Sequence, residues 1–228
     1  MELKGQPMRN LQRAGGTASL LNALIAVANI IVVFGVLGPA VAADPSRVAA
    51  IVTTQPVPLL LLEFFKMLSA VATLTIVFAI HQRLSRSASQ QARSATIAGV
   101  ISAILLLAAG IVGAIAIALA SRGAEARQTA DVSVYVTLNA IVNGLGLAAV
   151  FANGVWYLLV SIAAMKSGLL PRMLCYLGLP LGVASLIAFI LPPIALLVLV
   201  LGLIWAVWLG VSLLREPMTK ITISAAGG

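Results

Sequence analysis

Glu63 and Lys66 are the two residues whose chemistry stands out, because they lie inside the apolar run Val57–Ile80 (VPLLLLEFFKMLSAVATLTIVFAI), 24 residues long. As a helix this run rises about 36 Å, enough to cross the roughly 30 Å hydrocarbon core of a bilayer. Either charge alone at mid-membrane costs about 3 kcal/mol on insertion scales. Three positions apart, they share one helix face and can pair. That face continues through Ala70, Thr73 and Val77 with Ser69 beside it, and it is expected to look into a helix bundle. Two uses fit the pair. It can neutralise itself and fix the rotation of its helix, or it can relay a proton or ion. No third ionisable group falls in another expected span, which favours the first use.

Asparagines form the next set. Asn139, Asn143, Gly146, Val150, Asn153 and Tyr157 recur at spacings of four, three, four, three and four, a heptad-like seam suited to helix–helix contact in lipid or to lining a polar cavity. Asn22 and Asn29 make a shorter stripe, seven apart with Ala26 between them. Trp156 lies ten residues before Lys166, and Trp205 ten before Arg215. Both are therefore expected about 15 Å inside the boundary, deeper than the usual interfacial belt of aromatics. With Trp208 they can pack against neighbouring helices or stack on a flat hydrophobic ligand such as a quinone or pigment.

Catalytic machinery is not legible. One histidine, one cysteine (Cys175) and no HExxH, Ser-His-Asp set or glycine-rich phosphate loop exclude the common hydrolytic, metal and nucleotide chemistries. No cofactor or metal is encoded by motif, and the chain is expected not to be an enzyme.

These side chains must be positioned by membrane helices. Of 228 residues, 61% are hydrophobic and 9% charged, with a mean hydropathy of +1.13; soluble domains carry about 25% charged residues. The hydropathy predicts an all-α bundle of six transmembrane helices in a single domain, at about 18–40, 57–80, 95–120, 132–164, 173–191 and 193–214. The first run, Ala18–Ala40, is 23 residues, too long for the roughly 7–15-residue core of a signal peptide, although Ala40-Val41-Ala42 imitates a cleavage site. Asp44-Pro45 reads as a turn. The fourth run, 33 residues, would be about 50 Å long as one helix. It is expected to tilt, to project, or to break near Asn143–Gly146. In the fifth span Gly178 and Gly182 have GxxxG spacing interrupted by Pro180. Span six follows Pro192-Pro193.

The net charge of +8 is a matter of topology. Lys4, Arg9, Arg13, Arg83, Arg86, Arg93, Lys166, Arg172, Arg215 and Lys220 fall on one side of the six-span arrangement, against Arg47, Arg122 and Arg127 on the other. The positive-inside rule then puts both termini in the cytoplasm. No basic stripe with interleaved aromatics is present, so nucleic acid is not an expected partner. His81 is expected at the cytoplasmic interface.

The segment Gly154–Ile187 (GVWYLLVSIAAMKSGLLPRMLCYLGLPLGVASLI) resembles a broad group of uncharacterised bacterial multi-span proteins classed as domains of unknown function. The resemblance implies a bacterial cytoplasmic membrane and carries no catalytic residues. The expected function is that of a non-catalytic integral membrane subunit in a larger assembly, respiratory or photosynthetic, whose partners are the bilayer and other membrane subunits. The alternative is a small transporter or channel using Glu63, Lys66 and an Asn-lined face.

Overall fold

The computed structural model describes residues 6–38, 51–52, 54–85, 87–125 and 130–215. Among them all regular structure is helical, in six α-helices: α1 Gln6–Ile30, α2 Pro56–Leu84, α3 Ser89–Glu125, α4 Ala130–Ser167, α5 Arg172–Ala188 and α6 Ala195–Arg215. Ala40-Val41-Ala42, Asp44-Pro45, Lys4, Arg47, Arg86, Arg127 and Lys220 lie outside the described residues.

Local chemistry sets the ends. Proline in the first turn of α2 sits where backbone N–H groups have no helical partner, so its missing donor costs nothing. At the far end of α4, Gly168 adopts φ +64° and its N–H reaches the Ala164 carbonyl at 2.9 Å. This left-handed stop suits glycine. Pro171 immediately precedes α5, so the KSGLLPR turn is built from one helix stop and one helix start. Beyond Ile30, α1 continues as a wider π-helix over Ile31–Leu37 and stops at Gly38, φ +86°.

Five of the helices are long and apolar enough to cross a membrane; this is a multi-pass membrane protein. The sixth, α5, has 17 residues and is only about 25 Å long. Helix α4 is continuous over 38 residues, about 57 Å, with no break at Asn143–Gly146, so tilt or projection takes up its length. Glycine there leaves the backbone hydrogen bonds intact, and Pro180 lies inside α5, as membrane helices tolerate where neighbouring groups satisfy the freed carbonyl. Both α1 and α3 begin before their apolar runs, extending the helices into polar sequence at one end.

Each helix packs on its chain neighbours, and α1 returns to α6. The bundle is therefore a closed ring. Two glycine crossings bring backbones together. A Cβ on Gly16 would sit 3.0 Å from the Gly210 carbonyl oxygen and one on Gly210 3.0 Å from that of Gly16; between Gly154 and Gly182 both distances are 2.9 Å. Small residues at such crossings let dispersion contacts replace the absent hydrophobic drive. Beside the first crossing the buried Ser19 hydroxyl donates to the Ala206 carbonyl at 2.7 Å. The GxxxG spacing of α5 serves helix packing despite Pro180: Gly182 faces Gly154 and Leu158, and Gly178 faces Ser161.

The large core cluster fills the end where α1 starts and α2 stops, from Ala18 and Ile80 to Leu174 and Leu213. A smaller cluster, with Leu59, Ala116, Ala120 and Tyr135, lies toward the other end. Gly15 packs on Ala79, and Gly16 on Gly210 and Leu214. These contacts gather Arg13, Arg83, Arg93, Lys166, Arg172 and Arg215 at the first end, whereas Arg122 falls at the opposite one.

Candidate functional site

A simple relation locates the polar side chains of the spans. On a helix, two positions correspond to about 200° around the axis. Phe64, 54% exposed, belongs with Val57, Val71 and Phe78 to the outward row of α2, and Lys66 stands two positions past it. The same offset separates Asn22 from the exposed Leu24, Asn29 from Ile31, Asn139 from Ile141 and Asn153 from Phe151. Each also shares its face with buried residues, Ile25 beside Asn22 and Asn29, Tyr135 and Val142 beside Asn139, Trp156 and Val160 beside Asn153, and Glu63 and Ala70 beside Lys66, so these five point into the ring.

Their heights can be read from the helix contacts. Gly15 meets Ala79; thirteen residues along each antiparallel helix, about 20 Å, Ala28 comes level with Lys66, with Asn29 next to it. Gly99 meets Trp156, and Gly113 meets Glu63. The Ser102 hydroxyl donates to the Ala149 carbonyl; eight residues on, Gly110, which packs on Met67 beside Lys66, comes level with Ile141, two positions from Asn139. Lys66, Asn29 and Asn139 thus share one level in the half of the ring away from the basic end.

Lys66 Nζ donates to both carboxylate oxygens of Glu63, at 2.7 and 2.9 Å. The two side chains are not equally placed. Glu63 is buried, whereas a third of the Lys66 side chain is accessible (33%). The accessible part of Lys66 lies on the face of α2 opposite Phe64. Behind Glu63, a Cβ at Gly113 would collide with its carboxyl group, and one at Gly110 would lie 2.7 Å from Met67 Cγ. α3 therefore provides a niche that only glycine leaves open. The buried Tyr135 of α4 lies within electrostatic range of Glu63.

Below this level the interior is closed by aromatics. Trp156 and Tyr157 of α4 meet Trp205 of α6, with ring centroids 5.5 and 4.8 Å apart and both contacts edge-to-face. Such pairs contribute about 0.5–1.5 kcal/mol each beyond their burial. A Cβ at Gly99 would stand 2.9 Å from Trp156, and one at Gly178 would collide with the Ser161 hydroxyl. Asn153 lies one turn from Tyr157 and within interaction range of its hydroxyl. Trp208 is apart from this group, 39% exposed on the outside of the ring. The two deep tryptophans thus stack on each other and on Tyr157.

The asparagine seam is divided. Asn139, Asn153 and Tyr157 face inward, but Asn143 is exposed, and a Cβ at Gly144 or Gly146 would meet nothing within 4 Å. The cause is the short α5, whose end meets α4 near Phe151: the Phe151 and Phe189 rings lie 5.7 Å apart. Beyond that point the α5-facing side of α4 is uncovered. His81 is half-buried and ties α2 to α3. Its Nδ1 lies 2.7 Å from the Thr96 Oγ1, in a hydrogen bond whose direction follows the imidazole tautomer, and Thr96 Oγ1 is also 2.7 Å from the Ala92 carbonyl oxygen.

Three residues of the site do not stand out in the sequence: Gly113, Tyr135 and Ser161. Nothing in the run Gly110–Gly113 marks Glu63 as what these glycines accommodate. Among the described residues no group of three His, Cys, Asp or Glu side chains gathers as a metal site. A family model described as a domain of unknown function (DUF4386) matches residues 17–215. No curated protein and no solved structure matches the chain.

Proposed function

The chain belongs to the family of that domain of unknown function, DUF4386, and on this premise we propose that it is a small transporter or channel whose working site is the polar chamber around Lys66. The observation that carries the reading is the 33% accessibility of Lys66 on the face of α2 opposite its lipid-facing row. Asn29 and Asn139 at the same level supply amides to the chamber, and Trp156, Tyr157 and Trp205 close it below.

The proposed setting is the cytoplasmic membrane of a bacterium. All six helices traverse it, α5 with help from the Pro192-Pro193 connection. The basic end is cytoplasmic by the positive-inside rule, and the chamber opens outward. Chemically the reading asks for solute binding and passage, with no covalent step.

Single cysteines introduced after Cys175→Ala test it. Asn29→Cys and Asn139→Cys should react with a membrane-impermeant thiol reagent added from outside, because only a hydrated thiol ionises and attacks. Leu24→Cys and Ile141→Cys, each two positions away on the lipid-facing side, should not. Ala124→Cys should react and Ser87→Cys should not, which checks orientation at the same time. Protection of both asparagine positions would sink the chamber.

A second reading is favoured by the uncovered α4 face at Val136, Asn143 and Leu147 with the open Gly144 and Gly146. It is that of an integral subunit packed in a larger membrane assembly. Purification in mild detergent separates the two: stoichiometric co-migrating partners support the subunit, and a lone monomer or symmetric oligomer the transporter.

A further inference from the structure

Resting on the chamber reading, we propose that the chamber binds a single oxyanion head group, a carboxylate or a phosphate, on Lys66, and that Glu63 takes up one proton as the ligand arrives. Lys66 has three N–H donors. Two are directed to Glu63 Oε1 and Oε2, and the third is left for the chamber. Glu63 lies behind, buried against Gly113. The chamber therefore presents an ammonium, not a carboxylate; Asn29, at its level, gives one amide hydrogen to the Ile25 carbonyl at 3.1 Å and keeps the second. No acid other than Glu63 occurs in the described part of any candidate span.

Glu63 is thus an internal stand-in for the ligand. When an oxyanion accepts the Lys66 hydrogens in its place, the carboxylate is stranded in a niche without water. A stranded buried charge is costly, and a proton from solvent on one Glu63 oxygen removes it. One negative charge and one positive charge enter together, so the site stays electrically balanced. The groups facing Glu63 leave no other acceptor for that proton. On its own helix there is Lys66. From α3 come Gly110 and Gly113, and from α4 the phenol of Tyr135. The level of α1 offers the neutral amide of Asn29.

The test uses the purified protein in an uncharged detergent, with melting temperature followed against butyrate, inorganic phosphate and phosphatidylglycerol added to the micelle. At least one probe should stabilise the wild type saturably. Response to butyrate or phosphate assigns a free solute, and response to phosphatidylglycerol alone a lipid head group. Butyrate stays ionised between pH 6 and 8, so uptake of one proton per anion should tighten its half-saturation by up to about tenfold per unit of falling pH. Glu63→Gln removes the competing carboxylate; its binding should be at least tenfold tighter and independent of pH. Lys66→Met should not respond; should it fail to fold, Glu63→Gln/Lys66→Met takes its place.

No stabilisation of the wild type or Glu63→Gln by any probe overturns the proposal, as does an unchanged response without Lys66. Binding of equal strength at pH 6 and 8 overturns the proton step. If Asn29→Cys and Asn139→Cys are reactive while no anion binds, only this inference falls; if they are protected, the chamber reading falls with it.

Discussion

Lys66→Met should destabilise the protein in detergent by about 3–5 kcal/mol, the range for removing one partner of a buried pair, and Glu63→Gln by about 1–2 kcal/mol. The asymmetry follows from the unequal placement of the two groups. Without Lys66, the Glu63 carboxylate is stranded in the Gly113 niche. Without Glu63, the ammonium is still one-third accessible and can hydrate, so its loss of partner is screened. The double variant leaves no unpaired charge and should recover most of the loss. A double-mutant cycle from thermal unfolding reads the coupling directly. Strictly additive losses would show that the pair does not interact, and a larger loss for Glu63→Gln would show that the chamber does not hydrate Lys66.

Trp205→Ala should be comparably severe. Truncation of a buried tryptophan costs about 3–5 kcal/mol, and here it removes the ring that Trp156 and Tyr157 both pack against. Trp208→Ala, three positions along the same helix but on the outer surface, should change the melting temperature little, since lipid takes the place of the ring. Equal effects at the two positions would mean that the aromatic floor is not a packed plug.

Much of this architecture was legible before the structure. Hydropathy marks the long helices because a membrane span must be apolar over its whole length. The inward direction of Lys66 follows from its pairing distance to Glu63 and the cost of charge in lipid. The asparagine stripes were legible as faces, because 3.6-residue periodicity fixes which side chains align. What lay beyond the sequence is contact between helices far apart in the chain. Gly113 lies 50 residues from Glu63, and nothing in Gly110-Ile-Val-Gly113 names its partner. Trp156 and Trp205 could each be placed deep in the membrane from their distance to a basic residue. That they meet depends on the ring closing α4 and α6 around one axis. The seam from Asn139 to Tyr157 reads as one continuous stripe, yet α5 ends too early to cover all of it, so Asn143 is left on the outside.

The contact between α1 and α6 also sets an order of events during synthesis. The Ser19 hydroxyl and the Ala206 carbonyl it meets are separated by 187 residues. At roughly 5–20 residues per second, the ribosome makes the second roughly 10–40 seconds after the first. For that time the Gly16 and Ser19 face of α1 lies in the bilayer without the helix that covers it, while α2 to α5 can each pack on the helix made just before. A row of helices is complete at every stage of its growth. A ring is complete only when its last helix arrives, so truncation anywhere before Gly210 should leave the first helix open to degradation along with the last.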